Sequence, residues 1–124
     1  MNIVVVDDEP LIMELCVAIL EQHGHMVNGF TRGEDALIKL VNQPIDLLVV
    51  DYTMPGLNGF EVIQQARSLR PDLRVVMITG DGTRKIIGEA MQVGVNGFLL
   101  KPFTPDELWE AVASALGEAR KRWG

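Results

Sequence analysis

The chain has 124 residues, 48% of them hydrophobic, and a formal net charge of −6. That length suits one domain whose core needs no disulfide or structural metal, and the apolar content excludes a disordered chain. The acidic balance argues against nucleic-acid binding by the domain itself, which needs a basic face, and no apolar run reaches the length of a membrane span.

Asn2–Val6 reads as the first strand: Ile3-Val4-Val5-Val6 is apolar and β-branched, the pattern of a strand buried on both faces in a parallel sheet, and it runs straight into Asp7-Asp8-Glu9. Those charges arrive too early for a signal peptide. A helix is predicted over Pro10–Gln22, with Leu11, Leu15, Ala18 and Ile19 inward, closed by His23-Gly24-His25. The only cysteine, Cys16, lies in this helix and reads as a buried, inert thiol of a reducing compartment, so the expected location is the cytoplasm. Met26–Phe30 is a weaker second strand. Thr31-Arg32-Gly33-Glu34 reads as a capping box opening a helix that turns Ala36, Leu37, Leu40 and Val41 inward and stops before Pro44.

Leu47–Val50 is the third strand, and it runs straight into Asp51. A turn-rich loop, Met54-Pro55-Gly56-Leu57-Asn58-Gly59, leads to a helix capped by Asn58 and Glu61 that ends near Ser68. Arg74–Ile78 is the fourth strand, followed by Thr79-Gly80. Thr83–Val93 reads as a fourth helix weakened by Gly88, and Gly97–Leu100 as the fifth strand, followed by Lys101-Pro102. Thr104-Pro105-Asp106-Glu107 opens the last helix, predicted to run to about Ala119 with Leu108, Val112, Ala115 and Leu116 inward. Trp109 lies on its flank. Beyond it come the basic stretch Arg120-Lys121-Arg122 and Trp123, read as an exposed tail or the start of a linker.

Strict strand–helix alternation implies an α/β fold, a parallel sheet with helices on both faces and right-handed crossovers. In the doubly wound, flavodoxin-like order 2-1-3-4-5 with five helices, strands one and three are neighbours at the switch point, where ligands bind beyond the carboxyl ends of the strands. Asp7, Asp8 and Asp51 fall there, with Thr79 and Lys101 on the same edge. Three clustered carboxylates repel one another, and a hard divalent cation such as Mg²⁺ relieves that repulsion. A hydroxyl and an ammonium beside the metal would meet the oxygens of a phosphoryl group, and an aspartate can itself be the nucleophile.

Four motifs then carry a family resemblance: Val-Asp-Asp-Glu-Pro at 6–10, Asp-Tyr-Thr-Met-Pro-Gly-Leu-Asn-Gly at 51–59, Ile-Thr-Gly at 78–80 and Leu-Lys-Pro-Phe at 100–103. In this order, each at a strand end, they make the chain resemble a two-component response-regulator receiver domain, similar to chemotaxis regulators, over residues 1–124. The strand order 2-1-3-4-5 is that family's own, so it comes with the resemblance and is not an independent result of the spacing. The resemblance implies that Asp51 is the phosphoacceptor, and that Asp8 ligates Mg²⁺ (or Mn²⁺ in its place) directly, Asp7 mainly through water. Asp51 would ligate the same ion, and Thr53 would lend it a backbone carbonyl. Lys101 would pair with the phosphoryl group or with Asp51, and the Lys101–Pro102 bond would be cis. Thr79 would move to the phosphate and let Phe98 turn inward, shifting the fourth helix, which is short, holds Gly88 and follows Gly80-Asp81-Gly82. The implied donor is a phosphohistidine on a sensor histidine kinase or histidine phosphotransfer protein. The implied target is an output domain or partner protein, with a phosphorylation-dependent dimer as one form of output.

Alone, Asp51 would be a strand-end turn residue and Lys101 a solvated surface charge; their coincidence with Asp7 and Asp8 makes them a site. Glu9 reads as a first-turn residue favoured by the helix dipole rather than as a ligand. Phe98 could equally be core. His23 and His25, in a loop without an acidic or cysteine partner in sequence, are not assigned a role. Thr53 and Asp81 depart from the familiar family pattern and would tune the lifetime of the phosphoryl group. The chain is read as a switch rather than an enzyme. One alternative is a pseudo-receiver that binds without taking phosphate, which the intact Asp8, Asp51, Thr79 and Lys101 oppose. The other is an aspartyl-phosphate hydrolase, whose common motif needs an Asp where Thr53 stands.

Overall fold

The computed structural model describes residues 1–117; the basic stretch 120–122 and Trp123 lie outside the described residues. Five strands alternate with five helices: β1 Asn2–Val6, α1 Pro10–Gln22, β2 Met26–Phe30, α2 Gly33–Asn42, β3 Leu47–Asp51, α3 Gly59–Leu69, β4 Arg74–Thr79, α4 Arg84–Gln92, β5 Gly97–Leu100 and α5 Pro105–Ala115. The strands form one parallel sheet in the order β2-β1-β3-β4-β5.

Side chains alternate across this sheet and divide the core into two layers. Val4, Val6, Leu48, Val50, Val75 and Met77 face α2 and α3, meeting Ala36, Leu40, Val62, Ile63 and Ala66. Ile3, Val5, Leu47, Val49, Val76 and Ile78 face α1 and α5, meeting Cys16, Ile19, Leu20, Leu108 and Val112. The central strands are thus apolar on both faces, as a parallel sheet covered by helices requires.

The helix details show where the sequence pattern was ambiguous. In α1, Leu11 is 80% exposed and Leu15 and Ala18 are also exposed, while Cys16, Ile19 and Leu20 are buried and Ile12 packs beside them. Residues 11–13 and 15–20 are all apolar, so periodicity could not select a face, and the inward stripe is rotated from the predicted one. The Thr31–Glu34 capping box is absent: α2 starts from Arg32 without a side-chain cap, because Glu34 pairs with Arg32 instead. In the same helix Ala36 and Leu40 are buried, but Val41 is exposed. Capping boxes do form at Asn58–Glu61 and Thr104–Glu107. Helix α5 ends at Ala115 and not near Ala119, because Gly117 adopts φ +80°, the left-handed conformation that terminates helices. Trp109 is half-buried on α5 and stacks on His23, with ring centroids 3.9 Å apart, joining the end of α1 to α5.

Candidate functional site

The register of the sheet builds the site. Val6 pairs with Val50, so the next residues, Asp7 and Asp51, emerge side by side at the carboxyl edge. Thr79 pairs with Leu100, which puts Lys101 one step beyond on the far side. The Lys101–Pro102 peptide is cis. Helix α3 closes the floor: Gly59 donates its amide to the Tyr52 carbonyl at 2.9 Å. A β-carbon on Gly59 would stand 2.5 Å from the Asp51 carbonyl oxygen, so only glycine allows this approach.

Asp7 is fully buried and Asp51 is 3% exposed, with Asp8 half-buried beside them. One carboxylate oxygen from each of the three lies within 4.8 Å of the others. Asp7 Oδ1 accepts the Glu9 amide at 2.9 Å and Asp51 Oδ1 accepts the Thr53 amide at 3.2 Å, so each carboxylate is oriented by backbone two residues on. The Lys101 ammonium sits 3.2 Å from Asp51 Oδ2, 3.0 Å from Asp7 Oδ2 and 2.7 Å from Glu9 Oε1.

Burial, then the neighbouring charge of Asp7, pushes the Asp51 carboxyl up to about 7, and Lys101 and the Thr53 amide only partly offset this. Burial alone would lower the pKa of Lys101, but its contacts with Glu9 and Asp7 and the charges of Asp51 and Asp7 outweigh it and raise the value. The cluster therefore carries more negative charge than one ammonium balances.

That imbalance fits a cation. Among the described residues Asp7 Oδ2 is buried without hydrogen-bond geometry to any partner and is held only by the ion pair to Lys101. The donors are all hard oxygens, the set that Mg²⁺ prefers over softer metals. A cleft of about 410 Å³ lined by Asp8, Glu9, Asp51, Thr53, Gly80, Asp81 and Lys101 opens the cluster to solvent.

Thr79 is buried at the end of β4, and its hydroxyl accepts the Asp81 amide at 3.0 Å. Among the described residues no hydrogen bond joins it to Asp51. Phe98 is half-buried against the α2–α3 core layer and does not line the cleft. The sequence thus pointed to Asp7, Asp8, Asp51, Thr53 and Lys101, which the fold brings together, and to Thr79 and Phe98, which stand apart in this conformation. Asp81 lines the cleft while its carboxylate accepts the Thr83 amide.

Two features were missed. Glu9 is the N-cap residue of α1 rather than a first-turn residue, and its side chain holds Lys101. Only the spacing from Asp7, whose carboxylate binds the Glu9 amide, hinted at this. The phenol of Tyr52, next to Asp51, donates to Glu89 of α4, a contact across 37 residues with no local signature.

The response regulator receiver domain family model matches residues 3–113, and the chain belongs to that family. Receiver domains are phosphorylatable modules of two-component signalling, associated with histidine kinases and output domains. Response regulator SaeR of Staphylococcus aureus is 28% identical over 120 residues, 97% of this chain and 52% of the relative, so the chain spans about half the length of the curated relatives it matches. Among solved structures, a CheY-like receiver domain protein from Methanospirillum hungatei is 28% identical, with a TM-score of 0.88 over 98% of this chain and 97% of that one. Chemotaxis protein CheY4 of Vibrio cholerae, also 28% identical, has a TM-score of 0.88 over 93% of this chain and 98% of its own. Among the described residues no helix is long and apolar enough to cross a membrane.

Proposed function

We propose that Asp51 is the phosphoacceptor of this receiver domain. A carboxylate oxygen of Asp51 bonds to the phosphorus of a phosphohistidine as the donor's P–N bond breaks, and the imidazole leaves with its electron pair and takes up a proton. The donor is a sensor histidine kinase or a histidine phosphotransfer protein. Asp8, Asp7 and Asp51, with the Thr53 carbonyl, would hold Mg²⁺ or Mn²⁺. When bound, the ion neutralises charge on the carboxylates and on the transferred group. Lys101 supplies a second, permanent positive charge at the Asp51 oxygen. Backbone amides hold Asp51 and Asp7 in place, so the site is organised before the donor arrives.

The observation that carries this reading is one geometry: a buried Asp51 carboxylate with Lys101 at 3.2 Å and two further carboxylates within 4.8 Å. In the phosphorylated state the Thr79 hydroxyl leaves the Asp81 amide for the phosphoryl group, Phe98 turns inward, and the surface of α4, β5 and α5 changes for an output domain or partner. The test is incubation with Mg²⁺ and a small acyl-phosphate or phosphoramidate donor. A base-labile phosphate forms on the wild type and is absent from Asp51→Asn; a wild type that takes up no phosphate sinks the reading.

A further inference from the structure

Helix α4 is the most weakly seated helix of the fold. It buries only Ile86 and Ala90, and its N-cap is a long 3.4 Å contact from the Ile86 amide to the Thr83 hydroxyl. Gly88 lies inside it with open space on its side-chain position. The chain just beyond its C-terminal end is fixed from α3, where Arg67 donates to the carbonyls of Val93 at 3.0 Å and Gly94 at 2.9 Å. Among the described residues the N-terminal turns have no such side-chain tie from another element and are held by the Thr83 cap and the burial of Ile86.

Among the described residues one polar side-chain contact from another element restrains the middle of the helix. Tyr52 follows Asp51 directly, and its backbone is locked on both sides: its amide donates to Ile78 at 2.7 Å and its carbonyl accepts Gly59 at 2.9 Å. The ring packs half-buried against the α2–α3 core layer and its hydroxyl donates to the half-buried carboxylate of Glu89. It is the only tyrosine in the chain, and Phe98 carries no hydroxyl to make an equivalent bond. The arm from the proposed phosphoacceptor to α4 is therefore rigid at its root and hydrogen-bonded to a carboxylate at its tip.

We propose that the Tyr52–Glu89 hydrogen bond is a latch that holds α4 in the unphosphorylated position, so that switching requires it to be broken. This rests on the phosphoacceptor reading of Asp51 and adds a positioning role for two residues that do not touch the reacting atoms. A contact present in one of two states biases the equilibrium by its own free energy. Removing it makes α4 easier to move and tightens binding of anything that favours the moved state, by at most the same factor.

The test has two arms, both on the intact chain. Amide hydrogen exchange of residues 84–92, without metal or phosphate, reads the hold on the helix. Binding of beryllofluoride with Mg²⁺, a mimic of the phosphoryl group, reads switching. In Tyr52→Phe, exchange in α4 is expected to be about tenfold faster, the scale of a hydrogen bond to a charged acceptor, and beryllofluoride affinity to rise by about three- to tenfold. Glu89→Gln, whose amide oxygen still accepts the phenol, should fall between wild type and Tyr52→Phe in both arms. Unchanged α4 exchange in Tyr52→Phe overturns the latch, and so does faster exchange with unaltered beryllofluoride affinity while the wild type binds normally. A wild type that takes up no beryllofluoride sinks the phosphoacceptor reading and the switching role together, an outcome distinct from the other two.

Discussion

Asp7 and Asp51 follow or end strands that are buried at every position from Ile3 to Val6 and from Leu47 to Asp51, whereas Thr79 opens onto a loop and a helix that buries only Ile86 and Ala90. Both regions meet at one cleft. On the first side the carboxylates are fixed by backbone amides and the close approach of Gly59; on the second, Thr79 is bonded within its own loop and α4 leans on one phenol. Local stability follows buried apolar contact, so a single small domain can keep a rigid chemical half beside a half that gives way. A site that must hold charges at close range needs the first; a signal that must travel needs the second.

The sharpest way to break this contrast is to truncate one apolar side chain in each half. Leu48 is fully buried in β3 and Ile86 is 7% exposed in α4. Leu48→Ala is expected to cost about 4–5 kcal/mol and Ile86→Ala about 2 kcal/mol, the upper and lower ends of the range for such deletions. Urea unfolding of both variants measures this, and equal losses would mean that α4 is as well seated as the central sheet.

The next effect sits on the charges. Among the described residues Lys101 is the one cation in contact with Asp7 and Asp51, and its side chain is 18% exposed. Lys101→Ala leaves two buried carboxylates unneutralised. In the presence of a chelator it is expected to lose about 2 kcal/mol, reduced from the fully buried case because the ammonium reaches water. Millimolar Mg²⁺ should recover most of that loss. A variant as stable as wild type in chelator would show that the three-acid cluster does not carry the charge imbalance inferred for it.

The rigid half was also the half legible in sequence. Ile3–Val6 and Leu47–Val50 announce buried strands by composition alone, and an acid at the end of each marks the site before any fold is known. Asn58–Glu61 and Thr104–Glu107 announce helix starts because their signals are local. Thr31–Glu34 has the same pattern and fails because Arg32, between them, competes for the Glu34 carboxylate. The inward face of α1 was unreadable because nearly every side chain there is apolar. Lys101–Glu9 and Tyr52–Glu89 join residues far apart in the chain, and no pattern of spacing encodes a pair that only the sheet order brings together.

The last expected effect is a pH dependence confined to the carboxylate half. In the fold the Asp51 carboxyl lies at about 7, raised by burial and then by Asp7; in the unfolded chain it returns to about 4. Between those values the folded state binds the extra proton, so the metal-free protein loses stability as the pH rises through that window, and above it both states are ionised and the penalty is complete. A cation at the cluster needs the ionised form and competes with the proton. The melting temperature of the chelator-treated protein should therefore fall between about pH 5 and about pH 8, and the rise produced by Mg²⁺ should be larger at the higher pH. In Asp51→Asn, which cannot titrate, the fall should shrink and the Mg²⁺ effect should weaken. Tyr52→Phe should leave the slope with pH as it is, since it loosens α4 without altering the charges around Asp51. If Tyr52→Phe and Asp51→Asn changed the slope alike, the two halves would be one electrostatic unit, and the division between a fixed chemical side and a yielding response side would fail.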